Sequence, residues 1–271
     1  MSNGTIVVAQ LEVDGCIAEL YLNGIPLIRL APPKIPIQNR AVEQFLVPGE
    51  NTLEVLVEPG SRPLLARIEE RRIPFRPMRA TGRLIRFPEG VPGTVEHGDL
   101  LAEANFSWSQ ASLAQQVFPR SARTGFDMGA AHGYFVWQAA PEIVLDPATI
   151  EEARAVLDQV EAAIRAHDID WLLRLNQVMV RDTIRSYSAM DDGFLRREIT
   201  NLMRRQQKVL DPVIPRDPHT HDFRVVAGGR ILQCIDVDWT SSFKLRSPTG
   251  GAPLPYMLFL ARIDGKLQIV R

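Results

Sequence analysis

Ile17-Ala18-Glu19-Leu20-Tyr21-Leu22-Asn23-Gly24-Ile25-Pro26-Leu27-Ile28-Arg29-Leu30 decides the character of the first half of this chain. Two apolar runs flank Asn-Gly. Both residues of a two-residue hairpin turn must tolerate positive φ, which Asn and Gly do at least cost. The stretch therefore predicts a pair of antiparallel strands. Just beyond it, Val42, Phe45, Leu46 and Val47 lead into the turn Pro48-Gly49-Glu50-Asn51, and Thr52-Leu53-Glu54-Val55-Leu56-Val57 follows. In that run Leu53, Val55 and Val57 point one way while Thr52 and Glu54 point the other, the period-2 pattern of a half-buried strand.

Further strands are expected over Gly82 to Phe87, Leu100 to Trp108 and Tyr134 to Ala139, separated by turn-rich segments such as Pro88-Glu89-Gly90-Val91-Pro92-Gly93. Ser109 to Val117 reads as a short helical turn. Short strands at regular spacing predict an all-β sandwich over residues 1–143.

The texture changes near Pro141. Asp146-Pro147 is a helix start, an N-cap carboxylate followed by proline at the first helical position. Ile150, Ala153, Val156, Leu157, Val160 and Ile164 then recur at helical spacing. A break at His167-Asp168 precedes a second helix from about Ile169 to Tyr187. A third, from Asp191-Asp192, carries Leu195, Ile199, Leu202, Val209 and Leu210 on one face. Asp211-Pro212 ends it. Strands follow over Asp222 to Ala227, Arg230 to Leu245, Tyr256 to Asp264 and Lys266 to Val270, with Gly228-Gly229 and Asp264-Gly265 as turns. The expectation for residues 147–271 is an α+β domain with three helices packed on an antiparallel curved sheet.

At 271 residues two domains are the natural expectation. The net charge of −1 removes any whole-chain electrostatic reason to bind nucleic acid or an anionic membrane. Cys16 and Cys234 sit in strand-like runs and read as small buried hydrophobes. The N-terminus lacks a secretory pattern and no stretch approaches the ~20 apolar residues that span a bilayer. The expected setting is the cytoplasm.

Two resemblances rest on these residues. Tyr21-Leu22-Asn23-Gly24, Val42, Phe45-Leu46 and Gly49-Glu50-Asn51-Thr52-Leu53-Glu54-Val55 resemble the galactose-binding-like jelly-roll domains that accompany many glycosidases. The match covers turn and core positions, so it bears on fold alone. The second half resembles the nuclear-transport-factor-2-like (cystatin-like) α+β cone superfamily. That likeness is carried by Ala166-His167-Asp168-Ile169-Asp170-Trp171-Leu172-Leu173 and by Tyr256-Met257-Leu258-Phe259-Leu260-Ala261-Arg262-Ile263-Asp264-Gly265-Lys266-Leu267. The cone resemblance implies a sheet curved around a helix to form a pocket.

If that pocket exists, Trp171, Leu175, Val178 and Asp182 fall on one helical stripe. Asp182, riding on an apolar stripe, is the candidate general base, against a structural ion pair with Arg181, Arg185 or a strand arginine. Trp171 and Trp239 would supply apolar walls. On the long strand, Ile231, Ile235, Val237, Trp239, Phe243 and Leu245 are expected to alternate against Cys234, Asp236, Asp238 and Thr240. Asp236 and Asp238 on one face could bind a cation or a basic partner, or be solvated. His219 and His221 form the metal-like cluster, without a third ligand at a convincing spacing. Arg196, Arg197, Arg204, Arg205 and Lys208 lie opposite the apolar stripe of the third helix, either solvated or facing an acidic protein. Trp108 and Trp137 are the candidate stacking platform for a sugar. Serine-nucleophile, dinucleotide and nucleotide-loop motifs do not occur.

The functional expectation is a non-catalytic protein-binding or adaptor protein without cofactor, of the kind a bacterial neutralising (immunity-type) partner would be. Its partner would be another protein, with a homodimer through the α+β domain as a further expectation. An enzyme or small-molecule binder around Asp182, and a carbohydrate binder, are the rivals.

Overall fold

A computed structural model describes residues 5–31, 36–60, 70–73, 76–88, 97–109, 116–129, 135–186, 192–209, 217, 220–237, 239–246 and 254–271. The chain is rich in antiparallel sheet, with four helices among the described residues. Its contacts fall into two compact units, Met1–Ser61 with Ile68–Gly133, and Arg62–Arg67 with Tyr134–Arg271.

The first unit contains β1 (Thr5–Asp14), β2 (Ala18–Leu22), β3 (Ile25–Leu30), β4 (Ile37–Ala41), β5 (Glu50–Val57), β6 (Arg71–Ile73), β7 (Met78–Pro88), β8 (Asp99–Trp108), β9 (Gln116–Phe118) and β10 (Arg120–Asp127). One sheet has the order β4-β1-β7-β8 and another β10-β5-β2-β3, while β6 pairs with β9. The hairpin predicted at Asn23-Gly24 is present, with φ of 53° and 75° at its two turn residues. In β5 the alternation holds, Leu53, Val55 and Val57 being buried and Thr52, Glu54 and Leu56 half-buried. The two sheets approach closely at Gly82 of β7. A Cβ there would lie 2.4 Å from Leu20 Cδ1 and 2.6 Å from Val55 Cγ2, so any larger residue would have to displace both side chains.

Patterning singled out neither β1 nor β10. In β1, Val7, Ala9, Leu11 and Val13 face the core, but Ile6 and Val8 interrupt the polar side. β10 is an edge strand of mainly polar sequence, recruited by pairing with β5 along its full length. Most of the stretch expected as a helical turn, residues 110–115, lies outside the described residues, and Gln116–Phe118 is strand.

The second unit opens not on a strand but on a 3-10 turn at Val136–Ala139, which replaces the strand expected over Tyr134 to Ala139. The Gln138 side chain accepts from Phe135 N at 2.7 Å, and Phe135 and Trp137 are buried, which closes the segment into a turn. Helix α1 (Pro147–Arg165) starts where predicted, Asp146 Oδ1 accepting from Thr149 N at 2.7 Å. Its Ala153, Leu157, Val160 and Ile164 are buried. His167, at φ 52°, turns the chain, and Asp168 caps α2 (Ile169–Leu175) by accepting from Trp171 N.

The expected second helix is two helices, α2 and then α3 (Gln177–Ser186), so the three-helix expectation becomes four with α4 (Asp192–Val209). Asn176 is the cause. Its side-chain amide donates to Leu172 O at 2.8 Å, and its backbone, at φ −95° and ψ 13°, leaves the helical path. The side chains of Leu195, Leu202 and Val209, and residue Leu210, lie outside the described set, so the apolar stripe of α4 is represented by Ile199.

The sheet runs β11 (His221–Val226), β12 (Ile231–Asp236), β15 (Leu258–Ile263) and β16 (Lys266–Ile269) in that order, all antiparallel. The predicted turns fall at Gly228-Gly229 and Asp264-Gly265, with positive φ at all four residues. A hairpin of β13 (Phe243–Leu245) and β14 (Leu254–Tyr256) is inserted. The long strand expected over Arg230 to Leu245 is therefore broken. Asp236 N donates to Thr240 O and Trp239 N to Asp236 O, a tight turn that Trp239 enters at φ 64°.

One core joins α1 to the face of the sheet bearing Phe223, Leu232, Cys234, Leu258, Leu260, Leu267 and Ile269. Ile231, Gln233 and Ile235, on the other face of β12, are buried too. The expected division of this strand into an apolar and a polar face does not occur. A strand covered on both sides loses its alternation.

Candidate functional site

Asp182 on α3 is 0 % exposed. Its Oδ2 accepts from Val136 N at 3.2 Å and lies 3.6 Å from Arg271 Nη1, while Oδ1 is 3.9 Å from Arg181 Nε. Arg271 is itself buried. It stacks 4.4 Å above the Phe135 ring and donates to Val270 O at 2.6 Å. Three parts of the chain thus converge: the turn at 135–136, α3, and the end of the sheet.

The electrostatics follow from that burial. Desolvation pushes the Asp182 carboxyl above its usual range, opposed by the Arg271 charge, the Val136 amide and the nearby Arg181 and Arg185. Burial pulls Arg271 down to about 10, opposed by the Asp182 carboxylate. A general base must reach the proton it removes. Asp182 is buried, and it faces a guanidinium and a backbone amide. Of the arginines within ion-pair distance, Arg271 stands at 3.6 Å and Arg181 at 3.9 Å.

The other predicted walls of a pocket do not join it. The spacing predicts Trp171 and Asp182 on one stripe, but they lie on two successive helices, α2 and α3, and Asp182 is buried where Trp171 is not. Trp171 is 38 % exposed, with the Arg174 guanidinium 5.0 Å from its ring. Trp239 is buried elsewhere, beneath Arg224 at 4.7 Å, and Arg224 in turn donates to Gln233 Oε1 through Nε and Nη2.

Asp236 sits at the strand end, where its Oδ1 accepts from Val237 N and its Oδ2 is 3.3 Å from Lys244 Nζ. A lysine already neutralises it. Asp238 lies outside the described residues, as does His219. His221 is half-buried at the start of β11, opposite Asp236 in the ladder. Among the described residues no three His, Cys, Asp or Glu side chains group to hold a metal ion. Cys16 and Cys234 are both buried and form no disulfide with each other, and burial pushes the Cys16 thiol up to about 12, the state of an inert core cysteine.

Of the two tryptophans proposed as a sugar platform, Trp137 is buried, and it belongs to the second unit. Trp108 is half-buried with Arg120 5.8 Å from its ring. Arg197 and Arg204 are exposed on α4, as are Arg196 and Arg205.

Sequence reading missed Arg271 and Phe135. Neither has a local signal, because their roles come from a partner far along the chain. It also passed over Asn51 as more than a turn residue. Asn51 is buried, its Oδ1 accepting from Val47 N and Asn23 Nδ2, and its Nδ2 donating to Val47 O and Gly49 O, all at 2.8 Å. No described helix is long and apolar enough to cross a membrane. No family model, no curated protein and no solved structure matches this chain.

Proposed function

We propose that this chain is a non-catalytic protein-binding or adaptor protein, of the neutralising (immunity) type, built from two domains and presenting the helical layer of the second to its partner. The observation that carries the reading is the exposed Trp171–Arg174 stack on α2. Tryptophan and arginine dominate the binding energy of protein interfaces, and a guanidinium over an indole presents both already oriented. The carboxylate best placed by sequence to do chemistry, Asp182, is meanwhile occupied by Arg271.

The domain reading gives a jelly-roll-like sandwich over 1–143 and a cone-like α+β domain over 147–271. Strand pairing supports the first. Four antiparallel pairs, β2–β3, β1–β4, β7–β8 and β5–β10, are joined into two sheets by β1–β7 and β2–β5. That is the pairing of an eight-stranded jelly roll whose last two strands have moved to the front of the chain. The core between α1 and a four-stranded antiparallel sheet supports the second.

The test uses the full chain, immobilised and exposed to lysate of its native host, beside the Trp171→Ala/Arg174→Ala variant. The reading expects a protein enriched by the wild type and depleted at least about tenfold by the double variant. Enrichment of no protein over bare resin overturns it.

A further inference from the structure

We infer that the arginine face of α4, together with α3 packed beside it, docks an acidic protein surface; this rests on the protein-binding reading and names its partner chemistry. On these two helices Arg181, Arg185, Arg196, Arg197, Arg204 and Arg205 are all exposed, and Glu198 is the one exposed acid among the described side chains. The chain as a whole is at −1. The positive charge of this layer therefore does not follow from a net positive charge on the molecule.

Helix α1 provides the control. Its two arginines are each neutralised within one turn, Arg154 by Glu151 and Arg165 by Glu161, both at 2.8 Å. On α4 the closest such pair is Arg205–Glu198 at 3.9 Å, and Arg196, Arg197 and Arg204 make no ion pair among the described residues. The four α4 arginines occupy one half of the helix circumference and, at 1.5 Å per residue, extend over roughly 13 Å. A solvated face gains nothing from grouping like charges, whereas an oxyanion-bearing partner does.

The choice of arginine narrows the class. Its planar fork grips carboxylates in a bidentate manner that lysine cannot reproduce. Phe194, 47 % exposed, stands three residues before Arg197 and adds an apolar anchor beside the charges. A compact patch with such an anchor, on a chain lacking net positive charge, matches a glutamate- and aspartate-bearing protein surface better than a phosphate track, which is followed by extended positive grooves.

Binding of the full chain to fluorescent poly-L-glutamate, and to single-stranded DNA of equal length, tests this by anisotropy at two salt concentrations. The expected result is retention of poly-glutamate, weakened at least about 30-fold in R196E/R197E/R204E/R205E and about three- to fivefold in the four-lysine variant. All substitutions are at exposed sites, and circular dichroism checks folding, with four Arg→Gln changes replacing the reversal if it unfolds. Absence of poly-glutamate binding, binding unchanged by the charge variants, or tighter binding to DNA each overturns the inference. If the lysate partner is captured equally by wild type and R196E/R197E/R204E/R205E, the acidic-surface inference fails while the protein-binding reading stands. If no partner is captured at all, the reading itself fails.

Discussion

Asn51 and Asp182 are both polar side chains with almost no exposure, 1 % and 0 %, yet they find their polar contacts on opposite scales of sequence. Asn51 bonds to Val47 and Gly49 within four residues, and to Asn23 in the adjacent hairpin, whose Oδ1 in turn accepts from Thr52 N. Asp182 meets the Val136 amide, 46 residues earlier, and Arg271 beyond the last strand. The first arrangement uses neutral groups and short loops. The second buries two opposite charges that only the assembled unit brings together. A neutral local network tolerates the loss of one member better than a buried ion pair does, because a stranded charge costs more than a stranded dipole.

That difference sets the order of expected effects. Asp182→Ala leaves Arg271 buried without its main counter-ion and is expected to cost about 3–5 kcal/mol in urea unfolding. Asp182→Leu/Arg271→Met removes both charges and is expected to return to within about 1 kcal/mol of the wild type or exceed it. If the double variant is no better than the single, the pair is not the unit described above. Asn51→Ala strands the Val47 amide and carbonyl but no charge, and is expected to cost about 2–3 kcal/mol. A larger loss for Asn51→Ala than for Asp182→Ala would reverse the comparison.

The smallest effect sharpens it by pH. Burial holds the folded-state pKa of Asp182 above the ordinary 3.8, so the folded protein keeps this proton longer than the unfolded chain. The stability from this group is therefore fully present below pH 3.8 and is lost as pH rises through the folded-state value. Asp182→Asn cannot titrate. Its stability, measured by urea unfolding from pH 3 upward and compared with wild type, is expected to lack that decline, whereas Asn51→Ala should leave it unchanged. Parallel curves for Asp182→Asn and wild type would show that Asp182 does not titrate differently on folding.

Local signals were legible wherever a residue's conformation was settled by its neighbours. Asn23-Gly24, Gly228-Gly229 and Asp264-Gly265 are turns because few other residues accept positive φ. Asp146 and Asp168 cap helices because a carboxylate one step before a helix meets its free amides. The alternation of β5 and the stripe of α1 are equally plain, since each buries one side only. The failures have one cause. β12 loses its alternation because both faces are covered, β10 is a polar strand held by its neighbour, and Asn176 breaks a helix through a side-chain bond that the apolar periodicity does not register.

The amino-acid sequence by itself determined the change from strand texture to helical texture near Pro141, the turns and caps, and the presence of a carboxylate at 182 on an apolar stripe. Only the tertiary structure decided what that carboxylate meets. Whether a buried acid serves as base or strut depends on what stands within about 4 Å of it. Here that is a guanidinium and an amide from distant segments, and no local pattern encodes their arrival.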